Sequence, residues 1–453
     1  MTPQALLLCP IVGALALVLA VRGMPGRERN IMVAGFLAHV AASIALVLYH
    51  ETSGGDMTVY RFYGAQIARA LDIDFVRYAP EVVRLALHRE SALPFPVLLE
   101  GTSSGTMSAY AGMLMFLVGN TTYGTCLLVS FFSYAGMMSM YRSLRGSLDE
   151  RERTAVLGAL LFMPSATFWT SGIVKEAFLM GFLGFLIGAA YDVLARRRML
   201  RLPLGALGAI GVSITKPYVM FPLVIATAGY LFARRGRKLS LGYKVAAVIV
   251  AVGGVIGASR LFPQFGLDNL GEAIATQQRN GVLVAHYAGS YVGVGDEDVQ
   301  TLGGQIRFLP LGIVNALMRP AFFDIRNAMS GVAAVEMTVI VGGLIALVWK
   351  HGLRKVIDQI RSHPPLMFAA VFILAFGAAV GVSTTNLGTL SRYRVPMMPF
   401  YIGAVAILRA RLTSAASARV AKAAAAPKRT VPLTREEKLR IIARRGQTGR
   451  LRA

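Results

Sequence analysis

The sequence predicts an all-α, polytopic integral membrane protein with about eleven transmembrane helices, two long external loops and a basic cytoplasmic tail. Three observations carry that prediction. Hydrophobic residues make up 55% of the 453 and charged residues only 15%, more apolar surface than one soluble core could bury. The apolar residues lie in continuous runs near the length of a bilayer-crossing helix, not in the alternation of a membrane β-barrel. The basic residues gather in alternate connecting loops, as the positive-inside rule requires of cytoplasmic segments.

Taken in order, the first apolar run covers residues 5–21 and ends at the basic loop Arg22-Gly-Met-Pro-Gly-Arg-Glu-Arg29. It lacks a basic leader and a small-residue cleavage site before Arg22, so it reads as a span rather than a signal peptide. A second run, 31–49, leads to an external segment. There, 65–70 and 80–88 have the spacing of short surface helices, broken by Leu93-Pro-Phe-Pro96. Residues 110–118 are short for a span and read as re-entrant or lying on the surface; 122–141 is a full span ending at Arg142, Arg145, Arg151 and Arg153. Two hairpins follow, 155–168 with 177–194 and 202–214 with 219–232, each returning to an Arg cluster. A span at 245–261 opens a second external loop (about 262–331). Spans at 332–349, 367–382 and 395–408 complete a transmembrane domain of residues 1–410 (first external loop about 50–121), before a basic tail over 411–453. This layout places the N-terminus outside and the C-terminus in the cytoplasm, and suits a bacterial inner membrane.

The formal net charge of +24 would suit a nucleic-acid binder, but its location argues against one. From Arg409 onward 13 Lys and Arg stand against two Glu, and much of the remaining charge is in short loops between spans. Membrane lipids, not nucleic acid, are the expected partner. Cys9 and Cys126 fall inside apolar runs, without disulfide or metal spacing, and read as packing residues. Walker A, zinc and nucleophile-elbow motifs are absent from the sequence, which leaves ATP-driven and serine-hydrolase chemistry without a basis.

A few ionisable residues stand at the external ends of the spans, where cations are not expected. Gly54-Gly-Asp-Met-Thr-Val-Tyr60 follows the second span. Its glycines allow a tight turn, and Asp56 could serve as a general base, as a ligand for a divalent cation (Mg or Mn), or simply as a helix cap. In Trp169-Thr-Ser-Gly-Ile-Val-Lys-Glu176, Lys175 and Glu176 are adjacent, so on a helix they point about 100° apart and should find different partners. Lys216 before Pro217 repeats the theme at the next hairpin tip. Snorkelling to the interface would explain either lysine; two ammonium groups facing one cleft would suit a phosphate or diphosphate. In Asn386-Leu-Gly-Thr-Leu-Ser-Arg-Tyr-Arg-Val-Pro396, Arg392 and Arg394 would project to one side if the segment is extended, with Tyr393 between them. The second external loop offers Arg279 and His286 as sugar-binding groups.

Two of these segments resemble GT-C superfamily membrane glycosyltransferases. Gly55-Asp56 with Tyr60 and Ala65 is similar to the first external loop of those enzymes, and Arg392-Tyr-Arg-Val-Pro396 with Pro399 looks like the segment before a late span. The resemblance covers these two motifs and the hydropathy layout. It implies a sugar donor linked to polyprenyl phosphate or diphosphate, an external active site, Asp56 as base or metal ligand, and a role in cell-surface polysaccharide synthesis alongside envelope assembly proteins. Those enzymes often carry a second carboxylate nearby, for which Asp72 and Asp74 are the candidates here. The hairpin lysines and paired arginines also resemble O-antigen-polymerase-type proteins. A transporter or flippase of a lipid-linked or anionic solute is the rival from another class; it would favour charges at the midplane and inverted repeats, whereas these charges stand at one boundary.

Overall fold

A computed structural model describes residues 2–235, 302–384 and 386–425; the span at 245–261, Arg279, His286 and the tail beyond Ala425 lie outside the described residues. The helices are α1 (Pro3–Val21), α2 (Gly26–Ser53), α3 (Asp56–Ile73), α4 (Phe75–Ala86), α5 (Ser103–Leu117), α6 (Thr122–Leu144), α7 (Glu150–Phe162), α8 (Pro164–Trp169), α9 (Lys175–Arg196), α10 (Leu202–Thr215) and α11 (Met220–Arg235). After the undescribed stretch come α12 (Leu302–Met318), α13 (Ala328–His351), α14 (Leu353–Ser362), α15 (Pro364–Ser383), α16 (Leu387–Tyr393) and α17 (Met398–Ala425). Residues Met1–Ala410 make one compact unit, and Arg411–Ala453 fall in a second, of which only the end of α17 is described.

Among the described residues, seven helical segments are long and apolar enough to cross a membrane, or eight if the bent pair α5–α6 counts as one. That pair turns through 111° at Val118–Thr121, the bend of a broken span or a re-entrant segment. The run at 155–168 is not one helix. Met163 precedes Pro164 and takes an extended ψ of 112°, which splits it into α7 and α8. At 13 residues, α7 rises only about 20 Å, short of the ~30 Å hydrocarbon core. The 14 residues of α10 fall short in the same way.

Close helix packing comes from small residues, as membrane interiors require. A side chain on Gly136 of α6 would collide with the backbone of Gly181 in α9, and one on Gly184 would collide with Gly136 in return. With its 22 residues, α9 is about 33 Å long, enough for its two ends to reach opposite edges of a bilayer. The basic loops meet at its C-terminal end. Asp192 there binds Arg196 at 3.1 Å, Arg201 at 3.5 Å and Ser143 at 2.9 Å. Nearby, Glu28 accepts from Arg145 at 2.6 and 2.9 Å and from Tyr141 at 2.7 Å. Arg142 donates to the carbonyls of Ala20 and Arg22. These bonds tie the ends of α1, α6 and α9 to the start of α2.

Candidate functional site

At the other end of α9, five separate segments converge. The turn from α2 into α3 is made by Gly54 and Gly55, with φ of 67° and 107°, backbone angles that glycine adopts without strain. It delivers Asp56 as the first residue of α3, where the helix dipole favours a carboxylate. The α8–α9 junction supplies Trp169, Lys175 and Glu176; the end of α10 supplies Lys216; α16 supplies Arg392 and Tyr393; the start of α5 supplies Ser103 and Ser104.

Glu176 is the hub. Its side chain is completely buried, and its Oε1 accepts from Lys216 Nζ at 2.8 Å and from Arg392 Nε at 3.1 Å. The far side of the same guanidinium donates to Asp56. Arg392 therefore bridges a buried carboxylate and one that is 47% exposed, so the cluster grades from the interior to open solvent. Burial works against the charge on Arg392, but Glu176 and Asp56 outweigh it and hold its pKa well above the ordinary arginine value. Two rings confine the guanidinium, Trp169 at 5.6 Å and Tyr393 at 5.8 Å, and Lys216 Nζ sits 4.3 Å from the Tyr393 centroid.

Lys175 diverges from its neighbour as the 100° separation requires. Its ammonium donates to Ser103 Oγ at 2.9 Å and Ser104 Oγ at 3.0 Å, within electrostatic reach of Lys216, Asp56, Glu176 and Arg392. Tyr60, one turn after Asp56 on α3, is buried and bonds Ser104; burial first, and then the Asp56 charge, push its phenol far above the usual range, so it stays protonated. Buried hydrogen-bonding capacity remains unused around this hub: Glu176 Oε2, the Tyr218 hydroxyl, Thr215 Oγ1 and Thr58 Oγ1 have no partner among the described residues.

Seven of the sequence-proposed residues thus meet here: Asp56, Tyr60, Lys175, Glu176, Lys216, Arg392 and Tyr393. Arg394 does not. The segment 387–393 is helical rather than extended, and two residues on a helix turn through about 200°, so Arg394 faces away. It is buried, donates to the Arg319 carbonyl, and lies within electrostatic reach of Glu336 on α13. Asp72 and Asp74 do not join Asp56 either. They stand at the opposite end of α3, about 24 Å along the helix, and Asp74 instead caps α4 by accepting from Arg77 N at 3.0 Å. Ser103, Ser104, Trp169 and Tyr218 complete the cluster without having been singled out from sequence. Only Trp169, inside the quoted hairpin motif, carried a signal.

A divalent cation fits this donor set poorly. Among the described residues no three His, Cys, Asp or Glu side chains form a metal-binding group, and Arg392 already stands between the two site carboxylates. The arrangement is instead a cation-rich cluster, with Lys175, Lys216 and Arg392 against Asp56 and Glu176. No family model matches the chain, and neither a curated protein nor a solved structure is significantly similar to it.

Proposed function

We propose that this chain is a membrane glycosyltransferase that takes a sugar from a polyprenyl-phosphate or polyprenyl-diphosphate donor at the external face of the membrane. One observation carries the reading: Lys216, Arg392 and Asp56 arrive from different elements to meet at Glu176, at the end of α9 opposite the arginine-rich loops. A surplus cation at a membrane boundary, with aromatic walls and one exposed carboxylate, suits an anionic leaving group beside an acceptor hydroxyl.

In this reading the donor phosphate is drawn to Lys175, Lys216 and Arg392. It competes with Asp56 for the guanidinium and frees that carboxylate. The acceptor oxygen attacks the anomeric carbon as the bond from that carbon to the phosphate oxygen breaks. The electron pair leaves with the phosphate, where the cations stabilise it, and the acceptor proton passes to Asp56. Configuration inverts. Trp169 and Tyr393 offer faces on which a sugar or the guanidinium can stack.

The test compares Asp56→Asn and Lys216→Ala with wild type at equal protein level, measuring glycan formation and lipid-linked intermediates. Both variants should lose about 10²-fold or more in transfer, with the lipid-linked donor accumulating. Wild-type activity in both would remove this site assignment.

A further inference from the structure

A cavity of about 520 Å³ lies between α6, α7, α9, α11, α15 and α17, well away from the charge cluster. Its wall is almost entirely hydrocarbon, including Leu160, Leu186, Leu223, Phe368 and Phe400; Tyr191, Thr227 and Tyr230 are the polar lining residues. The volume is that of a ligand site rather than a packing flaw. Along α9 it begins at Leu186, ten residues or about 15 Å beyond Glu176, and ends at Leu194.

That far end is ringed by arginines. Arg153 Nε donates to the carbonyl of Leu148 at 2.9 Å, Arg234 donates to the carbonyl of Leu194 at 3.0 Å, and the Arg196 guanidinium lies 5.6 Å from the Tyr191 ring centroid. Leu148, Leu194 and Tyr191 all line the cavity, so arginines from α7, α9 and α11 each touch a residue of its wall. Arg196 also pairs with Asp192 at 3.1 Å, Arg153 also donates to the Arg145 carbonyl at 3.1 Å and Arg234 to that of Ala195 at 3.2 Å; a guanidinium has five N–H donors, so each keeps some free for a phosphate. Leu194 is 39% exposed, so the cavity reaches the surface where the arginines are.

We propose that this cavity binds one anionic phospholipid, with its acyl chain between the helices and its phosphate on Arg153, Arg196 and Arg234. The geometry asks for a ligand with a long apolar body and a negative head at the arginine end. The sugar donor does not meet that requirement. Its phosphate at Lys216 would lie about 27 Å from Leu194 along α9, so a phosphate at the rim belongs to a second lipid in the opposite leaflet. The protein then grips both leaflets, one through its reaction site and one through this rim.

Native mass spectrometry of the full, delipidated chain tests this, with phosphatidylglycerol as the probe and zwitterionic phosphatidylcholine as the control. Wild type should hold one phosphatidylglycerol and bind phosphatidylcholine about tenfold more weakly. Arg234→Gln, which gives up bonds to backbone carbonyls and no ion pair, should weaken phosphatidylglycerol about fivefold while leaving the cavity wall intact. Filling the cavity with Ala228→Phe and Ala404→Phe should abolish the adduct. Equal binding of the two lipids would overturn the proposal, as would the absence of any adduct. Retention of the adduct in the filled variant would place the lipid elsewhere, and displacement of it by polyprenyl phosphate would assign the cavity to the donor; either result overturns the proposal.

Discussion

The two ends of α9 both carry a buried carboxylate among cations, yet they are finished differently. At the C-terminal end Asp192 has both oxygens engaged, Oδ1 by Arg196 and Oδ2 by Ser143 and Arg201. Glu28 beside it is likewise closed, by Arg145 and Tyr141. At the N-terminal end Glu176 takes Lys216 and Arg392 on one oxygen, while among the described residues its other oxygen and the Tyr218 and Thr215 hydroxyls have no partner. A group whose purpose is to hold loops together gains by completing its hydrogen bonds, because each buried, unmatched polar atom costs about 1–3 kcal/mol. Of the two ends, the N-terminal one is where buried carboxylate and hydroxyl atoms are left unmatched among the described residues, as suits a place that receives something polar, whereas the completed Asp192 and Glu28 clusters hold loops together.

Substitutions at the two ends should separate accordingly. Arg392→Ala removes the bridge between Asp56 and Glu176 and should lower glycosyl transfer by about 10²–10³-fold, read as turnover at matched protein level. A comparable loss from Arg201→Ala, at the closed end, would erase the distinction. Asp192→Ala breaks a buried pair and strands its arginines. It should cost about 3–5 kcal/mol of stability in thermal or denaturant unfolding in detergent, with normal activity in the protein that remains folded. Tyr218→Phe removes a buried hydroxyl that has no partner among the described residues, so stability should be unchanged or higher by about 1 kcal/mol, while activity falls if that hydroxyl contacts substrate.

The smallest effect is expected away from both ends, at Asp324. Burial opposes ionisation there, but the Arg319 guanidinium and the Ala321 amide hold its carboxyl below the usual range. A depressed folded-state pKa stabilises above the unfolded value and is lost as pH falls through the folded one. Asp324→Asn should thus destabilise by about 1–2 kcal/mol at neutral pH, and the difference from wild type should shrink as the pH falls below the carboxylate range.

Much of this contrast was legible in the sequence, because charge placement along apolar runs is a strong constraint. The adjacency of Lys175 and Glu176 predicted separate partners, and the structure gives the lysine two serines and the glutamate two cations. The Gly54-Gly55 pair before Asp56 predicted a turn that presents a carboxylate, and positive φ at both glycines makes it. What escaped was short-range conformation and long-range pairing. Pro396 suggested an extended approach, but the Asn386 side chain caps Gly388 and Thr389 and starts α16, which turns Arg394 away from Arg392. Ser103 and Ser104 carry no pattern of their own; only the fold, which brings the α5 start within hydrogen-bond reach of α9, gives them Lys175. The split of 155–168 at Met163-Pro164 shows the same limit, since hydropathy records apolar length but not where a helix breaks.

The most direct test of the central claim is the binding of a polyprenyl diphosphate to the purified protein, measured for wild type, Arg392→Ala, Lys216→Ala and Arg201→Ala. Closure at one end and openness at the other predict that Arg392→Ala and Lys216→Ala each weaken binding by about tenfold or more, while Arg201→Ala leaves it unchanged. Equal affinity across all four proteins would contradict the account and reduce the Glu176 cluster to another interface anchor.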